Sequence, residues 1–139
     1  MSKFRLWVEN VGQGVISFDF DSTLTSPVQD EEGVWLPGDA ANDDHINHQN
    51  HELMRKYANQ GYKIIIVTSR LNSQKPEVEA FVKKHKLPVS EVVATNGLAK
   101  GPLLQQLGVL MHHDDSPHEW EDPSNDFKGK WVKVFHPMD

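Results

Sequence analysis

Residues 62–68 read YKIIIVT, and no other stretch of the chain limits its fold as tightly. Four consecutive β-branched residues, Ile64 to Val67, favour a strand and leave neither of its faces polar, so that strand must be buried on both sides. Such strands belong to mainly parallel sheets covered by helices on both faces. The rest of the chain supplies the partners. Val15–Phe20 (VISFDF), Glu91–Thr95 (EVVAT), Val109–His112 (VLMH) and Trp131–Phe135 (WVKVF) read as further strands. His45–Gln60 carries Ile46, Leu53, Met54 and Tyr57 at roughly helical spacing and stops at Gly61. Pro76–His85 reads as a helix with Pro in its first turn and Val78, Phe81 and Val82 on one side, and Lys100–Leu107 starts a short one. The alternation predicts an α/β, Rossmann-like three-layer sandwich with right-handed crossovers around a mainly parallel central sheet.

At 139 residues the chain reads as one domain over 1–139, large enough to bury its own core. Fourteen Lys and Arg against 20 Asp and Glu give a net charge of −6, which works against tight sequence-independent binding to nucleic acid or anionic membrane. Cysteine is absent, which removes disulfides, thiolate metal sites and a thiol nucleophile and is compatible with a reducing compartment. The N-terminal stretch MSKFRLWVENVG has no long apolar core, and no apolar run approaches the ~20 residues of a membrane span. A cytoplasmic location without membrane partners is the expectation.

In parallel α/β sheets, ligands bind beyond the carboxyl ends of the strands. This sequence places its reactive groups there four times: Asp19 and Asp21 after the first strand, Thr68, Ser69 and Arg70 after the second, Asn96 to Lys100 after the third, and Asp114 with Asp115 after the fourth. Two carboxylates two residues apart at the end of an apolar run cost folding free energy unless a cation or a hydrogen-bond network offsets them. Mg²⁺, a hard cation held by one or two carboxylates with water and phosphate oxygens, suits Asp19 with Asp115. Asp19 could then act as a carboxylate nucleophile, Asp21 as proton carrier, and Thr68 and Lys100 as holders of phosphoryl oxygens.

The run Asp19-Phe20-Asp21-Ser22-Thr23-Leu24, then Thr68-Ser69-Arg70, Lys100 and Asp114-Asp115, resembles the four ordered motifs of the haloacid dehalogenase superfamily of phosphatases over Val15 to Phe135. The resemblance implies that Asp19 is the nucleophile and that Asp21 is general acid and base, lending its backbone carbonyl to Mg²⁺. It also implies that Thr68 binds phosphate, Lys100 stabilises the phosphoaspartate, Asp115 ligates Mg²⁺ and Asp114 supports the site. Phe20, Ser69 and Arg70 are assigned to substrate binding. Position 22 is Ser where many members have Gly.

That superfamily regulates access with cap domains, yet only about 30 residues separate Arg70 from Lys100, so no cap fits there. Residues 22–44 suffice for a flap. A capless site admits a phosphate at the end of a large molecule, and INHQNHELMRKYANQGYKIIIVTSR resembles the 3'-phosphatase half of phage polynucleotide kinases. Against this, no Lys or Arg occurs from Val8 through Met54, while Asp30, Glu31, Glu32, Asp39, Asp43 and Asp44 crowd the flap and would repel a strand. The expected partner is a phosphorylated small molecule such as a nucleotide, with nucleotidase activity, or a nucleic-acid 3'-phosphate end. The alternative is a catalytically idle domain that recognises a phosphorylated partner. Oligomeric state and pathway are not legible.

Trp35 in the flap fits packing better than stacking on a base. His45, His48 and His51 recur every three residues without a zinc spacing, and a solvated helix face is expected of them. Of His112 and His113, one is expected to pack and the other to approach the site. His118 and Trp120 fit either the pocket rim or ordinary loop packing.

Overall fold

The computed structural model describes residues 14–26, 28–29, 31–36, 46–122 and 124–134. Its central sheet contains β1 (Val15–Phe18), β4 (Lys63–Thr68), β5 (Glu91–Ala94), β6 (Val109–Asp114) and β7 (Lys130–Lys133). Their order is β5-β4-β1-β6-β7, and every neighbouring pair is parallel. Helix α1 (His48–Asn59) joins β1 to β4, α2 (Lys75–Lys84) joins β4 to β5, α3 (Gly101–Gln106) leads to β6, and α4 (Pro117–Glu121) to β7. A short hairpin of β2 (Val28–Gln29) and β3 (Trp35–Leu36) lies between β1 and α1. This is the predicted α/β architecture, and among the described residues nothing but single helices and strands separates β4 from β6.

Alternation along β4 explains its continuous apolar sequence. Ile64 and Ile66 pack with Ile16, Phe18, Met54, Val78 and Phe81 beneath α1 and α2. Ile65 and Val67 enter the opposite layer with Leu104, Val109 and Phe127, beneath α3. Successive side chains of a strand point to opposite faces, so a strand covered twice needs apolar residues at every position. Each layer draws on several strands and on segments far apart in sequence.

Register then delivers the site. Phe18 pairs with Ile66 of β4 on one side and His113 of β6 on the other. Asp19, Thr68 and Asp114 therefore emerge at nearly one level of the same sheet edge. Beyond β5 the chain crosses to the far side of β1, so β1 is flanked by strands reached in opposite directions, the place where parallel sheets open a crevice.

Element ends shift for local reasons. Helix α1 starts three residues later than its periodicity suggests because the side chain of Asn47 accepts from the Asn50 amide, an N-cap. Its stop at Gly61 holds, with φ +97°. Strand β6 runs two residues past His112, since His113 and Asp114 pair with Val132 and Lys133 of β7. Helix α4 was not readable from periodicity: five residues are too few, and only Pro117 in its first turn marks it. An isolated antiparallel bridge joins Thr25 to Ile46. Asp30, Asp39, Asp43, Asp44, His45, Phe135 and the side chain of Trp35 lie outside the described part, so the readings placed on them do too.

Candidate active site

Three charged side chains meet beneath the floor of a cavity of about 250 Å³ at the carboxyl end of β1. Lys100, 2% exposed, reaches from the start of α3 and donates from Nζ to Asp19 Oδ1 and to Asp114 Oδ2, each at 2.7 Å. Asp114 is more heavily bonded still: Oδ2 also accepts from His112 Nε2 at 2.8 Å, and Oδ1 accepts from the Ser116 amide at 3.0 Å. Behind it, Ser17 Oγ lies 2.7 Å from His112 Nδ1. A neutral imidazole satisfies both contacts only with its proton on Nε2, so Ser17 donates to His112 and His112 donates to Asp114. Asp19 Oδ2 receives one long hydrogen bond, from the Thr23 hydroxyl at 3.3 Å. Among the described residues, Oδ2 is thus the least encumbered carboxylate oxygen of this triad.

The charges follow from that geometry. Burial raises the Asp19 carboxyl well above its ordinary value, and Lys100 only partly counters this while Asp114 and Asp115 add to it. Burial acts on Asp114 in the same sense, but the bonds from His112 and Lys100 outweigh it and hold it at about 2. Burial pulls Lys100 down, yet the two carboxylates push it above the usual lysine range. Lys100 therefore stays cationic, Asp114 stays ionised, and Asp19 is the group whose charge is costly.

Asp21, half-buried at the rim, is gripped by Arg70: Nε donates to Oδ2 at 2.9 Å and Nη2 to Oδ1 at 2.7 Å. Arg70 Nη1 donates to Glu77 Oε2 at 2.9 Å, and the guanidinium lies 5.1 Å over the Phe20 ring. Phe20 itself is buried edge-on against Phe81, while its carbonyl accepts from the amides of Thr23, Leu24 and Thr25. Thr68 is fully buried at the end of β4, its hydroxyl accepting from the Arg70 amide at 3.2 Å. Ser69 is exposed and lines the cavity with Asp19, Asp21, Lys100, Asp114 and Asp115. The fold thus gathers the predicted residues of all four motifs at one sheet edge.

Asp19, Asp114 and Asp115 each offer a carboxylate oxygen within 4.8 Å of one another. Three hard oxygen donors at that spacing fit Mg²⁺. Asp114 enters the donor set more closely than a supporting role suggests, but its oxygens already accept three hydrogen bonds.

Sequence reasoning missed a second set of residues. Glu119 of α4 lines the cavity and accepts the Lys100 amide at 3.3 Å, and Asn125 donates to that same Glu119 oxygen at 2.6 Å. Asn125 also accepts the Gly101 amide, where a Cβ would collide with Asn125 itself. These contacts fix the backbone from which Lys100 reaches inward. Only the four-residue step from Asp115 to Glu119 could have hinted at them. One histidine needs correction. His51 is not on a solvated face: it is 2% exposed and bonded to the Leu24 carbonyl at 2.9 Å, because α1 turns that side toward the loop after β1. His118 is exposed and outside the cavity, its neighbour Glu119 taking the rim, while Trp120 lies under the Lys133 ammonium. His113 packs, stacked 4.2 Å from Phe18, and His112 touches the site, as expected of the pair.

Ser22 has φ +60°, a left-handed conformation that costs a side-chain-bearing residue about 1 kcal/mol or more. This is the physical reason glycine suits the position. Ser22→Gly is expected to raise stability by about 0.5 kcal/mol after its extra unfolded-state entropy is subtracted, read from urea denaturation.

A pH dependence also follows. Burial holds His51, His112 and His113 at about 4, against 6.5 for a free imidazole. Between those values the unfolded chain binds more protons than the folded one, so stability falls as pH drops from 6.5 towards 4. Each imidazole contributes a slope of up to about 1.4 kcal/mol per pH unit. Asp19, raised in the folded state, opposes this by taking up a proton. Asp114 contributes above 3.8 and loses that contribution as pH falls through about 2. Urea midpoints should therefore drop from pH 7 to pH 4.5; a midpoint unchanged over that window would show that the imidazoles are not held neutral.

The sequence matches the family described as "PITM 1-3, LNS2 domain" over residues 16–117. No curated protein matches it. Among solved structures, one described as "Structure of Pnkp1/Rnl/Hen1 complex" aligns at TM-score 0.59 and 17% identity, covering 88% of this chain and 47% of that one. Another, "Structure of the Pnkp1/Rnl/Hen1 RNA repair complex", aligns at 0.59 and 19%, covering 88% and 43%. A putative 3-deoxy-D-manno-octulosonate 8-phosphate phosphatase from Vibrio cholerae aligns at 0.48 and 15%, over 99% and 75%. The chain spans less than half the length of the first two, and at these identities the likeness is one of fold.

Proposed function

Because this chain belongs to the PITM 1-3 LNS2 domain family and has a haloacid dehalogenase-like α/β fold, we propose that it is an Mg²⁺-dependent phosphomonoester hydrolase working through an aspartyl-phosphate on Asp19. The observation that carries this reading is the buried Asp19 carboxylate, held by Lys100 in a cavity that Asp115 and Asp21 also line.

Asp19 is fixed by Lys100 at one oxygen, leaving Oδ2 to attack phosphorus. The new Asp19–phosphorus bond forms as the ester oxygen departs, and Asp21 gives that oxygen its proton. Water then attacks phosphorus, Asp21 takes a proton from it, and the acyl phosphate breaks to release phosphate and restore Asp19. Lys100 neutralises charge on the transferring group, a preorganised role because Asp114, Glu119 and Asn125 already fix it. Thr68 and Ser69 complete the phosphate cradle. Asp19 and Asp115, with the Asp21 carbonyl, would hold Mg²⁺, which when bound neutralises charge on the phosphoryl oxygens.

A nucleotide or a nucleic-acid 3'-phosphate end is the proposed substrate. The acidic sequence of the flap supports the smaller one, and the RNA-repair description of a fold neighbour supports the other. The working unit is proposed as one domain over 1–139 with residues 22–44 as a flap, acting in the cytoplasm. Among the described residues no helix is long and apolar enough to cross a membrane. One observation favours the idle binding domain: Arg70 occupies both oxygens of Asp21.

Hydrolysis of an aryl phosphate decides between them. Turnover that appears with Mg²⁺ and vanishes with chelator is expected. Metal binding without turnover of any phosphate ester would establish the binding domain instead.

A further inference from the structure

We infer that Arg70 selects phosphomonoesters whose leaving group carries a second phosphate, by exchanging Asp21 for it. This rests on the phosphatase reading above and names the substrate class of the same site. The guanidinium is fixed on two sides, by the Phe20 ring beneath it and by Glu77 at Nη1, while the edge formed by Nε and Nη2 faces Asp21. That two-pronged edge fits the oxygens of a phosphate as well as those of a carboxylate. Asp21 lines the cavity and stands between it and Arg70.

The charge around the cavity makes the exchange consequential. Among the described residues lining it are Asp19, Asp21, Asp114, Asp115 and Glu119 against one cation, Lys100. Lys100 already lies between two carboxylates, 2.7 Å from each. The cation placed to receive a second anionic group is therefore Arg70, one side chain behind the rim. Its pair with Asp21 is partly open to water, with side chains 14% and 30% exposed, so it can be traded without uncovering a buried charge.

The trade has a catalytic result. While Arg70 holds Asp21, each oxygen of the acid already accepts a charge-assisted hydrogen bond, and the acid is less available to the leaving oxygen. A second phosphate drawn onto Nε and Nη2 frees Asp21 beside the bond to be broken. Substrates with that phosphate therefore gain in kcat as well as in KM. A nucleoside 3',5'-bisphosphate and a 3'-phosphorylated dinucleotide both present it.

The test measures kcat and KM with Mg²⁺ on a nucleoside 3'-monophosphate, the corresponding 3',5'-bisphosphate and a 3'-phosphorylated dinucleotide, for wild type, Arg70→Gln and Arg70→Lys. The wild type should favour at least one second-phosphate substrate by about tenfold in kcat/KM, part of it in kcat. Whether the bisphosphate or the dinucleotide shows the gain identifies the source of that phosphate. Arg70→Gln should raise kcat on the monophosphate and erase the preference. Arg70→Lys, charged but unable to fork, should give an intermediate preference and decides the matter if the glutamine variant does not fold, as judged by circular dichroism. A wild type indifferent to the second phosphate, or variants that lose activity on all three substrates by one factor, would overturn the inference and make Arg70 a support for Asp21 alone. A wild type that hydrolyses an aryl phosphate but none of the three overturns this inference alone; if the aryl phosphate is not hydrolysed either, the phosphatase reading falls and this inference with it.

Discussion

Lys100→Met is expected to cost the domain about 3–5 kcal/mol, because it leaves buried carboxylates without their cation. Methionine keeps most of the apolar stem, so packing around α3 changes little and the loss is electrostatic. Asp19 and Asp114 are 6% and 0% exposed, and with Lys100 gone Asp114 retains, among the described residues, His112 and the Ser116 amide. The carboxyls would relieve the strain by binding protons, so the deficit should shrink as the pH is lowered towards 5, opposite to the trend of the wild type. Urea denaturation at pH 7 and pH 5 measures both. A second substitution, Asp19→Asn, in the same background should recover part of the loss, since it removes one of the stranded charges, and the double-mutant cycle gives the coupling. A Lys100→Met protein within about 1 kcal/mol of wild type would show that the triad is not what offsets the buried acids.

Asp19→Asn alone is the converse case, with a large effect on activity and a small one on stability. Asparagine keeps an oxygen to accept from Lys100 and fills the same space, and it removes a negative charge that burial already penalises. Stability should stay within about 1 kcal/mol of wild type. Turnover should fall by at least about a thousandfold, since an amide oxygen is a poor nucleophile toward phosphorus and no neighbouring group replaces it. Acid-quenched wild type should carry one phosphoryl group by intact-protein mass, and the variant none. A folded, fully active Asp19→Asn protein would remove the aspartyl-phosphate mechanism.

Much of this architecture could be read before any coordinates. The unbroken Ile64–Val67 run demanded a strand covered on both faces, and it is packed into two separate core layers. Asp19, Thr68, Lys100 and Asp114 were placed together because each follows a strand, and strand ends share one sheet edge. What was not legible depended on side chains meeting across long separations. Ser17 reads as an ordinary strand residue, yet it orients His112, 95 positions away. Asn125 sits in a loop without pattern and fixes the backbone at Gly101. His51 looked solvated from its spacing and is buried, because only the packed position of α1 decides which side meets the loop after β1.

The five sheet strands, their crossovers and the edge at which the carboxylates gather follow from periodicity and strand-end rules, which are local and act through the backbone. Which side chains meet at that edge is a matter of packing. The tertiary structure gave Asp114 three hydrogen bonds and Asp19 a single long one besides Lys100, and it set Arg70 on Asp21. Those choices depend on distances of 2.7 to 3.3 Å between residues up to 81 positions apart, which only the packed sheet and its register set.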